Sequence, residues 1–373
     1  EWNVTAAWVK DPRGNTVIDF KDSNLHLLNY SVPVHERMDL EALKEHLFTL
    51  PEQPDLIPYR TSYYHENWGF CLSHRQYEQL PPGEYEVFVD TTLSEGSLTY
   101  GELVIPGESD DTMLFSCHCC HPSLANDNLS GIALCTFLAK ALLNSAHRLT
   151  YRFLFIPGTI GAITWLARNR DKAKQITHGL TVACVGDPGR ITYKRSRRHH
   201  ADIDETVRFA LAQSGREHEV RDFSPYGYDE RQYCSPGFNL PVGCLSRSAA
   251  GEYPEYHTSG DNLELVQPEY LADSLALVLD VIALLEQAEY YVRVDGHGEP
   301  QLGRRGLYDA LGGQKNKKDR ELAMLWLLNY ADGSKSLTAI AQMSGLPPAY
   351  LQEAAALLED AGLLVRQKQM SPQ

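Results

Sequence analysis

The 373 residues exceed what one hydrophobic core usually serves, and 43% hydrophobic content is enough to fill roughly two or three domains. A net charge of −15 argues against a general nucleic-acid or anionic-membrane binder. No apolar run approaches the ~18 residues that a transmembrane helix needs. Eight cysteines include Cys117, Cys119 and Cys120, too crowded for disulfide geometry, so reduced thiols and a cytoplasmic location are expected. The chain opens on Glu1 rather than Met, so the lack of a leader carries no weight.

Residues 1–35 alternate in short segments such as Thr16 to Phe20, and Asp39 caps a short helix predicted to reach Leu50. Pro, Tyr and Gly then dominate to Gly107, with strand-like stretches at Tyr85 to Val89 and Ser97 to Ile105. Residues 51–107 read as an inserted β-rich subdomain, and residues 1–50 with 108–295 as an α/β domain. In the latter, strands at Thr112 to Cys117, Arg152 to Ile156, Leu180 to Val185 and Leu240 to Leu245 alternate with helices. Those helices are Ser130 to Asn144, Ala162 to Asn169, Ile203 to Gln213 and Pro268 to Tyr291. That alternation predicts an α/β fold, a doubly wound, mostly parallel sheet with sites at the carboxyl ends of its strands. A charged, Gly-rich linker is expected over 296–318. Three helices and a strand over 319–373 have the plan of a winged helix. Leu351, Ala355 and Leu358 recur at helical spacing and should face its core. Its last helix has no Lys or Arg but carries Glu353, Glu359 and Asp360, which opposes a DNA-reading role.

Chemistry concentrates in two stretches. His118-Cys119-Cys120-His121-Pro122 follows an apolar strand, and Asn126-Asp127-Asn128 opens the next helix. Tyr256-His257-Thr258-Ser259-Gly260-Asp261 is a polar loop. A His ending a strand, an Asp in a β-to-α turn and a distant loop His suit a zinc site, and zinc with open positions activates water. His121 is the alternative to His118, which is preferred because it directly ends the strand, whereas Pro122 after His121 points to a turn. Glu255 and Asp261 stand near enough in sequence to orient His257. The basic stretch Lys194 to Arg198 with His199 and His200 reads as solvated, the rival being an anion-binding patch.

These motifs, with Phe155 to Ile163 and Asp222 to Pro241, resemble the zinc aminopeptidase clan that includes the M28 peptidases. More narrowly, the chain resembles bacterial aminopeptidase-like proteins of the DUF4910 type, which carry a small domain and a C-terminal winged helix. Such proteins are often labelled as associated with polysaccharide biosynthesis. The resemblance implies metal ligands at His118, Asp127 (bridging), Asp187 and His257, with one or two Zn²⁺ ions. It implies hydrolysis of an amide or peptide bond in a small peptide-like or amide-bearing substrate, with no nucleic acid or membrane partner and a homo-oligomer open. The departures are specific. Gly158 and Thr159 stand where the clan has a Glu-Glu pair, and Cys120 stands where an Asp usually follows the first His. Glu230, flanked by Asp229 and Arg231, is expected to replace the lost base or ligand, the alternative being a solvated charged loop. The rival reading is a non-catalytic protein that keeps the scaffold to bind a metal or a substrate.

Overall fold

The structure, a computed structural model, describes residues 1–121, 123–308 and 317–367. The N-terminal quarter pairs with itself. Strands β1 (Trp2–Lys10), β2 (Thr16–Asp19) and β3 (Val34–Asp39) join β6 (Glu84–Leu93) in an antiparallel sheet of order β2-β1-β6-β3. Between them lie α1 (Leu40–Lys44), the short pair β4 (Leu47–Phe48) and β5 (Phe70–Cys71), and α2 (His74–Glu78). Asp39 caps α1, accepting from the Ala42 amide at 2.9 Å. Alternation along β6 turns Tyr85, Val87 and Val89 inward onto Ala7, Val9 and Phe70. Residues 1–50 therefore belong to the small β domain. The expected division, with an insertion at 51–107, gives way to an N-terminal domain ending near Leu93. The cause is β1 pairing with β6, whose partners run from Trp2 with Leu93 to Lys10 with Glu86, far apart in sequence.

Next, β7 (Gly101–Ile105) crosses to the large sheet as its antiparallel edge. Strands β8 (Thr112–His118), β9 (Thr150–Ile156) and β10 (Ile176–Val182) form the parallel centre. β11 (Ile191–Lys194), β12 (His218–Arg221) and β13 (Val242–Ser246) complete the order β12-β11-β13-β10-β8-β9-β7. β8 and β10 are buried along their whole length, as expected of strands covered on both faces. On one face α3 (Gly131–Leu142), α6 (Asp202–Ser214) and α8 (Pro268–Glu286) pack over Phe115, Phe153 and Leu180. On the other, α4 (Ile160–Arg168), α5 (Arg170–Ala173) and α7 (Glu230–Tyr233) enclose Leu114, Leu154 and Trp165. The carboxyl ends of β8 and β10 meet at one rim, and the site lies there.

The C-terminal domain begins earlier than expected. β14 (Tyr290–Arg293) separates from α8 and pairs with β15 (Asp332–Ser336) and β16 (Leu364–Gln367). Helices α9 (Lys317–Tyr330), α10 (Leu337–Ser344) and α11 (Pro348–Asp360) pack on that sheet with Leu351, Ala355 and Leu358 buried, as their spacing predicts. Leu302 and Leu307 are buried in the same core, so the stretch 296–308 is part of the domain rather than a free linker. Residues 309–316 of the expected linker lie outside the described residues. One buried carboxylate fastens this domain to the sheet. Asp202 accepts from the Ser336 amide (2.9 Å) and hydroxyl (2.6 Å) and the Tyr290 hydroxyl (2.7 Å), and meets His178 Nε2 of β10 at 3.2 Å.

Candidate metal centre

β8 delivers His118 to the sheet rim, and the chain turns back through residues 125–130 before α3 begins. The alternation Asn126-Asp127-Asn128 explains how that turn is held. Asn128 donates to the Val182 carbonyl (2.9 Å) and accepts from the Cys184 amide (3.2 Å). Asn126 accepts from the Gly186 amide (3.0 Å) and donates to Asp187 (2.9 Å). Asp261 accepts from the amides of Asn126 and Asp127, the latter at 3.0 Å. It thus orients Asp127 through the backbone and does not touch His257. With its neighbours pinned to the end of β10, the Asp127 side chain is left facing the site.

Three imidazoles surround it. Asp127 Oδ1 lies 2.6 Å from His118 Nε2, and Oδ2 lies 3.2 Å from His257 Nε2 and 3.6 Å from His121 Nδ1. Burial opposes the carboxylate's charge, but its hydrogen bonds to His118 and His257 win and hold its pKa well below the usual range. Burial pushes His121 down to about 4, leaving it a neutral imidazole of the form that binds metals. Among the described residues, His121, Asp127 and His257 offer donor atoms within 4.8 Å of one another, and so do His118, Cys120 and His121. The two sets share His121, so the donors fit one cation or two adjacent ones. Three nitrogens and a carboxylate in a buried pocket are a donor set suited to zinc. Tyr59 braces the arrangement edge-on, its ring 5.0 Å from His121 and 5.1 Å from His257. His257 sits in the left-handed region at φ 56°, held by the Tyr59 amide donating to its carbonyl at 2.8 Å.

His118, Asp127 and His257 thus come together as expected, and His121, set aside because Pro122 follows it, joins them. Asp187 does not. Its carboxylate accepts from Asn126 (2.9 Å), the Gly189 amide (2.8 Å), and the Ser248 amide (3.2 Å) and hydroxyl (2.5 Å). Four donors saturate it, and its place is that of a brace behind Asn126.

The expected base also moves. Glu230 is buried, but Lys194 pairs with it and the Tyr228 amide donates to it at 3.1 Å, so it is not a free carboxylate. Lys194 is accordingly no solvated member of a basic stretch. Arg231 is exposed, and its guanidinium reaches only the Pro225 carbonyl at 3.5 Å. Asp229 is the unusual acid of the three. It is 2% exposed and its Oδ1 has no hydrogen-bond partner. Burial raises its pKa to about 7 against the opposing pull of nearby His118.

Tyr228, which sequence reasoning overlooked, touches both Gly158 and Cys120, two positions at which the chain departs from the clan. A Cβ at Gly158 would fall 1.9 Å from the Tyr228 ring, so the ring fills the space a glutamate would need. Its hydroxyl lies 2.8 Å from Cys120 Sγ, and its ring centroid 4.3 Å from that of His118. Burial pushes the Cys120 thiol up to about 12, so it stays protonated beside the phenol. Gly158→Ala should therefore destabilise the fold by about 1–3 kcal/mol through overpacking, read as a fall in Tm. An unchanged Tm would mean that Tyr228 moves freely. A cavity of about 240 Å³ opens from His118 and Asp127 towards Lys194, Glu230 and Tyr256. A second, of about 540 Å³, opens on the other side past His118, His121 and Leu129.

Comparison with known proteins fits this geometry. Residues 2–288 match the family described as a domain of unknown function (DUF4910), and residues 289–366 match a winged helix-turn-helix family. A Clostridium acetobutylicum protein is 50% identical over 346 residues, 93% of this chain and 80% of that one. It is named for polysaccharide biosynthesis and an aminopeptidase-like domain. A crystal structure from the same organism, titled as a peptidase, superposes with a TM-score of 0.81 at 47% identity. That match covers 98% of this chain and 84% of the other. A zinc aminopeptidase from Bacillus subtilis shares the fold at 12% identity, with a TM-score of 0.55 over 76% of this chain and 84% of its own. With the family model spanning residues 2–288 and a winged helix appended after it, the chain belongs to the DUF4910 family.

Proposed function

We propose that this protein is a zinc-dependent hydrolase of amide bonds. The observation that carries the reading is the Asp127 carboxylate, buried among His118, His121 and His257, with one cavity opening beside it and His118 and a second beside His118 and His121. Zinc held by these residues would supply a Lewis acid and an activated water. The chain's own residues do the rest. Asp127 and the three imidazoles would hold one or two ions, and Asn126, Asn128 and Asp261 fix Asp127. Asp229, buried with one free oxygen within electrostatic reach of His118, replaces Glu230 as the carboxyl that relays a proton. Tyr228 closes one wall. The winged helix serves as a structural arm fastened through Asp202, since α11 carries no cation for phosphate contact. Among the described residues no helix is long and apolar enough to cross a membrane. The substrate class follows the named relative, an amide-bearing molecule connected with polysaccharide synthesis.

Elemental analysis of the purified protein, paired with a screen of aminoacyl, acylamino and sugar-linked amides, tests this reading. One or two zinc ions per chain and a turnover that falls at least ~100-fold in Asp229→Asn are expected. The filling of the Gly158 space by Tyr228 favours a second reading, a metal-loaded binder without turnover. Full zinc occupancy with no hydrolysis of any of the three amide classes would establish it.

A further inference from the structure

The second cavity joins His118 and His121 to Trp2 and Tyr30, and further aromatic rings continue from Tyr30 outside it. Tyr59, edge-on to His121 and His257, shares a hydrogen bond with Tyr63. Tyr63 stands 5.9 Å from Tyr30 and 6.1 Å from Tyr64, and Tyr30 stands 5.6 Å from Trp2, all between ring centroids. Tyr30 is 39% exposed, Tyr63 59% and Tyr64 92%, a contiguous aromatic surface rather than scattered single residues. Trp2 and Tyr30 themselves line the cavity that His118 and His121 share. The rings are held in place. The Trp2 indole donates to the Ser31 carbonyl at 3.0 Å, and Tyr30 occupies the left-handed region at φ 67°, uncommon for a bulky side chain.

The geometry selects the ligand. Neighbouring rings are tilted by 41–48° and touch pairwise from Trp2 through Tyr30 and Tyr63 to Tyr64, an extended aromatic surface longer than a single cation would need. Their faces are apolar, while tyrosine hydroxyls and Asn29, which donates to the Tyr59 hydroxyl at 3.2 Å, lie along the rim. A pyranose ring has the complementary character, one face of C–H bonds and an edge of hydroxyls. We infer that this row is a saccharide-binding platform. It presents an amide-bearing sugar chain to the metal centre, with the sugar rings on Trp2, Tyr30, Tyr63 and Tyr64 and the amide beside Asp127. Binding itself is independent of the hydrolase reading, and only the bond cleavage after it rests on that reading. In the cleavage, water oxygen bonds to the amide carbon, the C–N bond breaks and a proton passes to the departing amine nitrogen.

Calorimetric titration of the full chain with N,N′,N″-triacetylchitotriose tests the platform. Binding is expected, weakened at least ~10-fold by Tyr63→Ala combined with Tyr64→Ala, both exposed enough to leave the fold intact. Repeating the titration after zinc is removed with a chelator separates the two ideas, because loss of the metal would end hydrolysis while the trisaccharide still binds. Failure of the trisaccharide to bind, or binding indifferent to the tyrosine substitutions, overturns the inference. So does displacement of the trisaccharide by an aromatic tripeptide that binds more tightly, or a change of oligomeric state in the tyrosine variant, which would mark the surface as a contact between copies.

Discussion

Asp127→Asn should strip the protein of zinc and of amide hydrolysis while leaving it folded. The carboxylate is the one anion among three imidazoles, and both of its oxygens face ring nitrogens. An amide of the same shape keeps one acceptor but replaces the other with an NH₂ group and removes the charge that attracts the cation. Loss of partners that merely support a metal ligand already weakens metal binding about 10–100-fold, so replacing the ligand itself should weaken it by at least ~100-fold. Competition for zinc against a fluorescent chelator reads the change directly. Asn126 and Asn128 keep their bonds to residues 182–187, so circular dichroism should match the parent. Zinc retained at full strength would mean that the ion is held without Asp127, and the proposed centre would fail.

Asp202→Ala should cause the largest loss of stability. Asp202 is 3% exposed and joins α6, β10 and the winged helix through four contacts. Removal strands His178, the Tyr290 hydroxyl and the Ser336 amide in the interior. Breaking a buried charged network from one side costs about 3–5 kcal/mol. Thermal unfolding should fall accordingly, with the winged helix released first, visible as early proteolysis in the 287–289 joint between α8 and β14. The pH dependence has a definite sign. Burial raises the Asp202 pKa, but hydrogen bonds and the charge of His178 outweigh it, and the net shift is downward. The unfolded state therefore binds its proton first as the pH drops. The contribution is complete above the unfolded value near 4 and erodes as the pH falls through the folded value. Acid titration of the parent should lose this increment, and Asp202→Ala should show a flatter acid limb. A Tm equal to the parent's at neutral pH would show that the junction holds without this carboxylate.

Where the sequence could be read, a local signal carried the information. β8, β9 and β10 are short apolar runs between polar turns, and the caps of α1 and α10 follow from Asp39 and Ser336. The N-terminal sheet was not legible because its defining contact, β1 with β6, spans most of a domain, and alternation names no partner. β14 was absorbed into the preceding helix because neither Gly nor Pro separates Glu286 from Tyr290. The site divides the same way. His118, Asp127 and His257 carried recognisable settings. His121 was discounted for the turn that Pro122 implies, although a turn is what returns it to Asp127. Asp187 looked like a ligand by position, but donors from Ser248, distant in sequence, occupy it.

The interlock of Gly158 with Tyr228 reaches beyond stability. A glutamate at 158 and the Tyr228 ring would compete for the same space. Installing a carboxylate at this rim is therefore a paired exchange, Gly158→Glu together with a smaller residue at 228, rather than a one-position graft.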